Sequence, residues 1–242
     1  MKKILILTGF VLIASFTFGQ NTPDPANKKK QTIDLSNRAN DHLLIQFGVT
    51  NWAGIPDSIN KKGFSKSFNA YFMFDFPFKN NPHLSMAFGP GIASDHIVFG
   101  NTHVGIRDIG PTIRFTNQSD TDHYKKTKLA TVYLEAPIEF RFAQDPLNGK
   151  GLKAAIGVKV GTMLNAHTRS TKYENKSGSS LSDHTEKEAS KKYFNKNRLS
   201  VMGRIGLGHI SLFGSYQASA LFKDGNGPVV RPFTIGLTLS GL

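Results

Sequence analysis

Glu135 and Glu139 stand four residues apart in ATVYLEAPIEFRF, residues 130–142, and two carboxylates on one face raise the question of acid–base chemistry. Glycoside hydrolysis places its two carboxyl groups roughly 5–9.5 Å apart. Four residues of extended chain span about 13 Å, so this pair is too widely spaced for it. Glu139 and Arg141, about 7 Å apart along the backbone, are spaced instead for a structural ion pair of guanidinium fork and carboxylate. The eight histidines, His42, His83, His96, His103, His123, His167, His184 and His209, show no metal-ligand spacing, and the chain has no cysteine to supply a thiolate. GRIGLG at 203–208 lacks the spacing of a dinucleotide fingerprint and joins strand to strand. A Ser/His/acid site made of His167, a loop serine and Glu174 is the one hydrolase arrangement left open. The expectation is therefore no enzyme, with no catalytic, cofactor or metal site.

The two glutamates ride on an extended strand. Val132, Leu134, Ala136, Ile138, Phe140 and Phe142 fall on one side of it, and Thr131, Tyr133, Glu135, Glu139 and Arg141 on the other. The same period of two recurs from Leu43 to Thr50, Phe68 to Phe76, Leu84 to Ile92, Leu152 to about His167, Leu199 to Leu207, Ile210 to Leu212 and Phe233 to Ser240, which predicts eight strands in all. Connections after the odd-numbered strands are long or glycine-rich and those after the even-numbered ones short, the layout of an outer-membrane barrel with short periplasmic turns. The stretch 95–126 is mixed in character, and 169–194 reads as a polar loop without periodicity.

Three features turn the oily side toward lipid. Several alternating segments are longer than the 5–6 residues usual for a soluble strand and suit the ~9–11 of a tilted membrane crossing. The opposite side is rich in Gly, Ala, Ser and Thr, which fits the narrow interior of a small barrel. Strands cross hydrocarbon only as a closed barrel, because no backbone polar group can be left unpaired there. A soluble sandwich of two stacked sheets is the alternative. The fold class expected is thus all-β, an eight-stranded antiparallel up-and-down transmembrane β-barrel with a closed lumen. Its interior polar network gathers Asp75, Tyr133, Glu135, Glu139, Arg141, Lys153, Lys159 and Arg204, with Tyr71 and Gln46 nearby; charges of both signs in so narrow a tube should pair.

The opening MKKILILTGFVLIASFTFGQ predicts a secretory signal peptide over 1–19, too short for a membrane span. A periplasmic tail over 20–41 and a barrel domain over 42–242 follow. Formal charge is +13, which points an exported protein toward outer-membrane lipid, lipopolysaccharide or acidic polysaccharide, not nucleic acid. Two features depart from the ordinary barrel. Pro137 falls mid-strand, where a bulge is expected to accommodate it, and Leu242 stands where such barrels often end in an aromatic residue.

SFNAYFMFDFPF, KLATVYLEAPIEFRF, KAAIGVKVGTMLNAHT and the closing RIGLGHISLFGSYQASALFKDGNGPVVRPFTIGLTLSGL together resemble the PorT-like outer-membrane β-barrel proteins of Bacteroidetes. The resemblance covers most of 43–242, with the YLE-x-P strand and the closing G-L-x-L strand its most telling parts. It implies an outer-membrane location and, through the family's best-known member, a link to the type IX secretion apparatus as an envelope partner; it supplies no catalytic residues. The expected role is structural or interactive, the alternatives being a narrow porin-like channel and an outer-membrane lipid-modifying enzyme.

Overall fold

The computed structural model describes residues 42–57, 59 and 61–241; the expected signal peptide, the tail over 20–41 and Leu242 lie outside the described residues. Among the described residues thirteen strands form, not eight: β1 (Leu43–Ala53), β2 (Lys66–Phe72), β3 (Phe74–Phe78), β4 (Asn81–Phe88), β5 (Gly91–Gly100), β6 (Thr102–Gly105), β7 (Arg114–Asn117), β8 (His123–Ala143), β9 (Leu152–Glu174), β10 (Ser180–Ala189), β11 (Asn197–Leu207), β12 (Ile210–Gln217) and β13 (Arg231–Ser240). Eleven of them make one antiparallel sheet, and β6 and β7 pair separately. The large sheet closes on itself, running β9–β11–β12–β13–β1–β2–β5–β8 and back to β9 through the β8–β9 ladder.

The extra strands arise where a long stave is interrupted. β2 and β3 part at Met73, where β1 runs out: the Met73 amide donates to the His42 carbonyl at 2.6 Å, one step past the last Leu43↔Phe72 pair of the β1–β2 ladder. Between β4 and β5, Gly89 and Pro90 break the run, and Phe72 N donates to the Pro90 carbonyl at 2.9 Å. Along β9, β10 covers the half beyond His167 and β11 the half before Thr162, the chain leaving the sheet between them.

Two expectations change here. Residues 169–194 are not a loop throughout, because β9 continues to Glu174 and β10 pairs back along it from Ala189↔His167 to Ser180↔Glu174. Polar and exposed along nearly its whole length, β10 has no buried face to impose an apolar alternation. Pro137 needs no bulge of its own. On one edge β8 exchanges neighbours, pairing with β5 through Glu135 and with β4 from Ile138, so the proline sits at the gap between two ladders; the register shift against β9 lies instead between Val132 and Tyr133.

Facing follows the predicted parity. Phe47, Phe68, Phe74, Phe76, Phe88, Leu134, Ile138 and Phe140 are exposed around the outside, Ile156 and Leu207 reaching 68%. The sandwich alternative fails, since these side chains do not meet between stacked sheets. Inward residues are buried, Tyr71, Tyr133, Lys159 and Phe213 among the most enclosed. Apolar surface on this scale is far beyond what a soluble monomer exposes and is what hydrocarbon requires.

One end of the closed sheet carries the short connections, including the turn at Gly208 and His209, where Gly208 takes φ 57° as a two-residue hairpin demands. The described ends of the chain meet there too, Gly241 N donating to the Leu43 carbonyl at 3.3 Å. The opposite end carries the long connections, and these pack into a hydrophobic core of their own.

Candidate functional site: the polar lumen and its aromatic cap

Inward-facing positions on five strands place charged groups in two clusters along the lumen. In the first, nearer the long connections, Arg198 on β11 donates from Nη1 to Asp95 Oδ2 on β5 at 2.6 Å and from Nε to Glu135 on β8. Its guanidinium also lies 4.1 Å from the centre of the Tyr133 ring, a cation–π contact strengthened by desolvation. Glu135 accepts a second hydrogen bond, from the Tyr71 hydroxyl at 2.7 Å. Lys159 reaches that hydroxyl at 3.5 Å. Burial of this many charges is tolerable only with such pairing.

In the second cluster Glu139 accepts from Arg141 Nε at 2.7 Å and from Arg204 Nη2 at 3.1 Å, and Arg141 Nη1 lies 3.7 Å from Asp75. Lys153 is buried beside them. The ion pair expected between Glu139 and Arg141 is thus a measured contact, while Glu135 and Glu139 belong to different clusters.

Small inward residues make this packing feasible. A Cβ at Gly161 would stand 2.8 Å from Glu135 Cγ, and one at Gly157 would stand 3.0 Å from Glu139 Cα; each glutamate therefore lies across a glycine of β9. Beside Asp95, Lys159 and Arg198 lies a cavity of about 10 Å³, and beside Arg141, Lys153 and Arg204 another of about 20 Å³. Each has room for about one water. In the second cluster Arg141 Nη2 and Arg204 Nε and Nη1 have no protein acceptor, and a water there would satisfy them.

Asp95 and Arg198 are the residues that reading the sequence missed. Both hold the inward parity of their strands, Asp95 following Gly91 and Ala93, and Arg198 preceding Ser200, Met202 and Arg204. Carrying each alternation a few residues past its last apolar member, Ile92 and Leu199, would have found them.

Above the first cluster the long connections interlock. The Trp52 ring meets Phe99, Phe115 and Phe222 edge-on at 5.6, 6.2 and 5.9 Å, and Phe194 lies 5.1 Å from Phe222. Edge-to-face pairs of this kind add to the burial of the rings. Polar ties join the same segments: Tyr193 Oη donates to the Asp108 carbonyl at 2.6 Å, Asn195 Nδ2 to the Ala220 and Phe222 carbonyls at 2.8 Å each, and Asn226 Nδ2 to the Pro111 carbonyl at 2.7 Å. A packed dome, not a set of free loops, closes this end.

The hydrolase arrangement is not assembled. His167 lies on the outer face of β9 beside Asn165, whereas Glu174 is seven residues on, about 23 Å along the strand, and is tied to Lys125 at 2.8 Å. Among the described residues no group of three metal-ligating side chains converges.

No curated protein sequence matches the chain. Solved structures similar to it include Ail, the attachment invasion locus protein of Yersinia pestis, in complex with the heparin analogue sucrose octasulfate, at 11% identity and a TM-score of 0.35, covering 82% of this chain and 94% of that one. A second Ail structure has 14% identity and a TM-score of 0.30 over the same shares. The model of the outer membrane protein beta-barrel domain matches residues 18–222, most of the sequence and nearly all of the closed sheet, and the chain belongs to that family.

Proposed function

We propose that this outer-membrane β-barrel protein is a sealed, eight-stave, up-and-down barrel that works as an interaction module and not as a pore or an enzyme. Counting β2 with β3, β4 with β5 and β10 with β11 as single interrupted staves, and leaving β6 and β7 to the dome, gives the eight. The observation that carries the reading is the packed lumen, where the cavities beside Asp95 and Lys159 and beside Lys153 and Arg204 each hold about one water, the larger, apolar groove of about 640 Å³ at Leu134, Val160 and Leu199 opening outward from the wall. An occupied interior leaves the long-connection end as the working surface, and in barrels of this layout that end faces outward. The narrow-channel alternative needs a continuous path past Arg198 and Arg141, and the two ion-pair clusters stand across it.

The resemblance to PorT-like proteins supports an envelope protein of the secretion apparatus as the class of partner. The test is crosslinking from native membranes with photoreactive side chains placed at exposed dome positions such as Phe64 and Ile109, 72% and 99% exposed. One discrete adduct that depends on crosslinker position is expected. Equal labelling at every position, or single-channel conductance from the purified protein in planar bilayers, would overturn the reading.

A further inference from the structure

Just beyond the lipid-facing band, the outer faces of three adjacent strands set three cations in one row. Lys128 on β8 pairs in register with Arg169 on β9, which pairs with Lys187 on β10. Like charges directly opposite one another on neighbouring strands are destabilising. None of the three has a carboxylate partner among the described residues, although each strand position could carry a neutral residue. Glu188, next to Lys187 in sequence, pairs with the buried Thr168 on the other face, and Glu186 is engaged with the Tyr124 side chain.

Height and sidedness add to the case. The last outward apolar residues of the lipid-facing band on β8 and β9 are Val132 and Leu164, and Lys128, opposite the buried Val98 of β5, lies four residues past Val132, about 13 Å along the strand and roughly 10 Å in height at a tilt of ~40°. That is the headgroup zone, within reach of long cationic side chains that bend toward it. Lys126 and, on β2, Lys66 extend the row on the same side. The rim formed by β1, β12 and β13 instead presents Asn51, Tyr216 and Phe233 in adjoining positions; its cations, Arg231 opposite Ala53 and Lys61 on Asn51, do not line up across three neighbouring strands.

We propose that the row Lys128–Arg169–Lys187 holds the phosphate of an outer-leaflet glycolipid headgroup, whose negative charge relieves the repulsion that the register builds in. The proposal rests on the reading above that the dome end faces outward. A phosphate bridging three strands has the fork of Arg169 at its centre and a point charge on either side, an arrangement suited to a phosphate monoester.

The test reconstitutes the full chain into phosphatidylcholine vesicles doped with bisphosphorylated lipid A, or with the same lipid dephosphorylated, then extracts with mild detergent and counts retained lipid A by mass spectrometry. Wild type should retain the phosphorylated form about a hundredfold better than the Lys128→Gln/Arg169→Gln/Lys187→Gln variant, at roughly fivefold per cation. The Lys128→Arg/Lys187→Arg variant should behave as wild type, and all three should show the same heat-modifiable migration of a folded barrel. Equal retention by the triple-Gln variant, equal retention of the dephosphorylated lipid, or displacement by millimolar inorganic phosphate would overturn the proposal, the last by assigning the row to free anions. Failure to insert into either vesicle would instead sink the barrel reading on which the proposal stands.

Discussion

Arg198 and Asp95 are joined at 2.6 Å although their strands, β11 and β5, have β8 and β9 between them in the closed sheet. The contact crosses the lumen, and because Arg198 also meets Glu135 it holds three walls together. Arg198→Met should therefore destabilise the barrel by about 3–5 kcal/mol, since it strands two buried carboxylates. Adding Asp95→Asn and Glu135→Gln should restore part of the loss. Urea titration of the reconstituted protein, read by loss of heat-modifiable migration, measures both; no difference between the single and triple variants would refute the role given to Arg198.

The parity of β8 was legible because its outer face is almost unbroken Val, Leu, Ile and Phe, and an alternating apolar face leaves its period in the sequence. From that one strand the lumen placement of Glu135, Glu139 and Arg141 could be read. The dome was not legible: Trp52 near the end of β1, Phe115 on β7, and Phe194 and Phe222 in connections come from four separate segments, and nothing local in any of them marks a contact made with another. Asp95 and Arg198 fell between these cases, on the right parity but past the last apolar residue, where the strands leave the membrane and their outer face turns polar. The interruptions at Met73 and at Gly89 and Pro90 were hidden for a different reason, since the apolar pattern runs across them and the β1–β2 and β2–β5 registers carry one hydrogen bond into each.

Gly161 is a position where a small residue leaves room for the network. A Cβ there would stand 2.8 Å from Glu135 Cγ, so Gly161→Val should push Glu135 off Arg198 and Tyr71. We expect the variant to fold with a midpoint lowered by an amount comparable to Glu135→Gln, and the two changes to be strongly non-additive when combined. Simple additivity in the double-mutant cycle would show that Gly161 serves some other purpose.

Phe140, 43% exposed between Met86 and Ile156 on neighbouring strands, tests the lipid face. Phe140→Arg should cost about 2–4 kcal/mol in a bilayer if the residue lies near the midplane. The same change should be nearly neutral in a detergent whose headgroups can reach the site. Equal effects in both solvents would argue that this face is not bathed in hydrocarbon.

Asp145, in the turn between β8 and β9, accepts from Asn148 Nδ2 at 3.0 Å and from the Asn148 and Leu147 amides at 3.1 and 3.2 Å. The side-chain bond from Asn148, followed by the backbone amide of the same residue, holds its pKa below the ordinary 3.8. A depressed carboxylate contributes stability that is complete above the unfolded value and is lost as pH falls through the folded one. Amide exchange at Leu147 and Asn148 should thus be flat above about pH 5, once intrinsic rates are corrected, and should accelerate below pH 3.8. Asp145→Asn should remove most of that pH dependence.

Trp52 separates the two seals. Its ring touches Phe99, Phe115 and Phe222 at once, so Trp52→Ala should cost the dome about 3–5 kcal/mol, enough to open it locally while the hydrogen-bonded staves persist. Proteases should then cut within 101–122 or 218–230 with folded-barrel migration retained. Conductance should nevertheless stay absent, because the Arg198 and Arg141 clusters lie below the dome and fill the lumen on their own. Only when Trp52→Ala is combined with truncations in both clusters, such as Arg198→Ala and Arg141→Ala, should current appear. Current from Trp52→Ala alone would mean that the cap is the gate of a channel and that the ionic interior is its pathway.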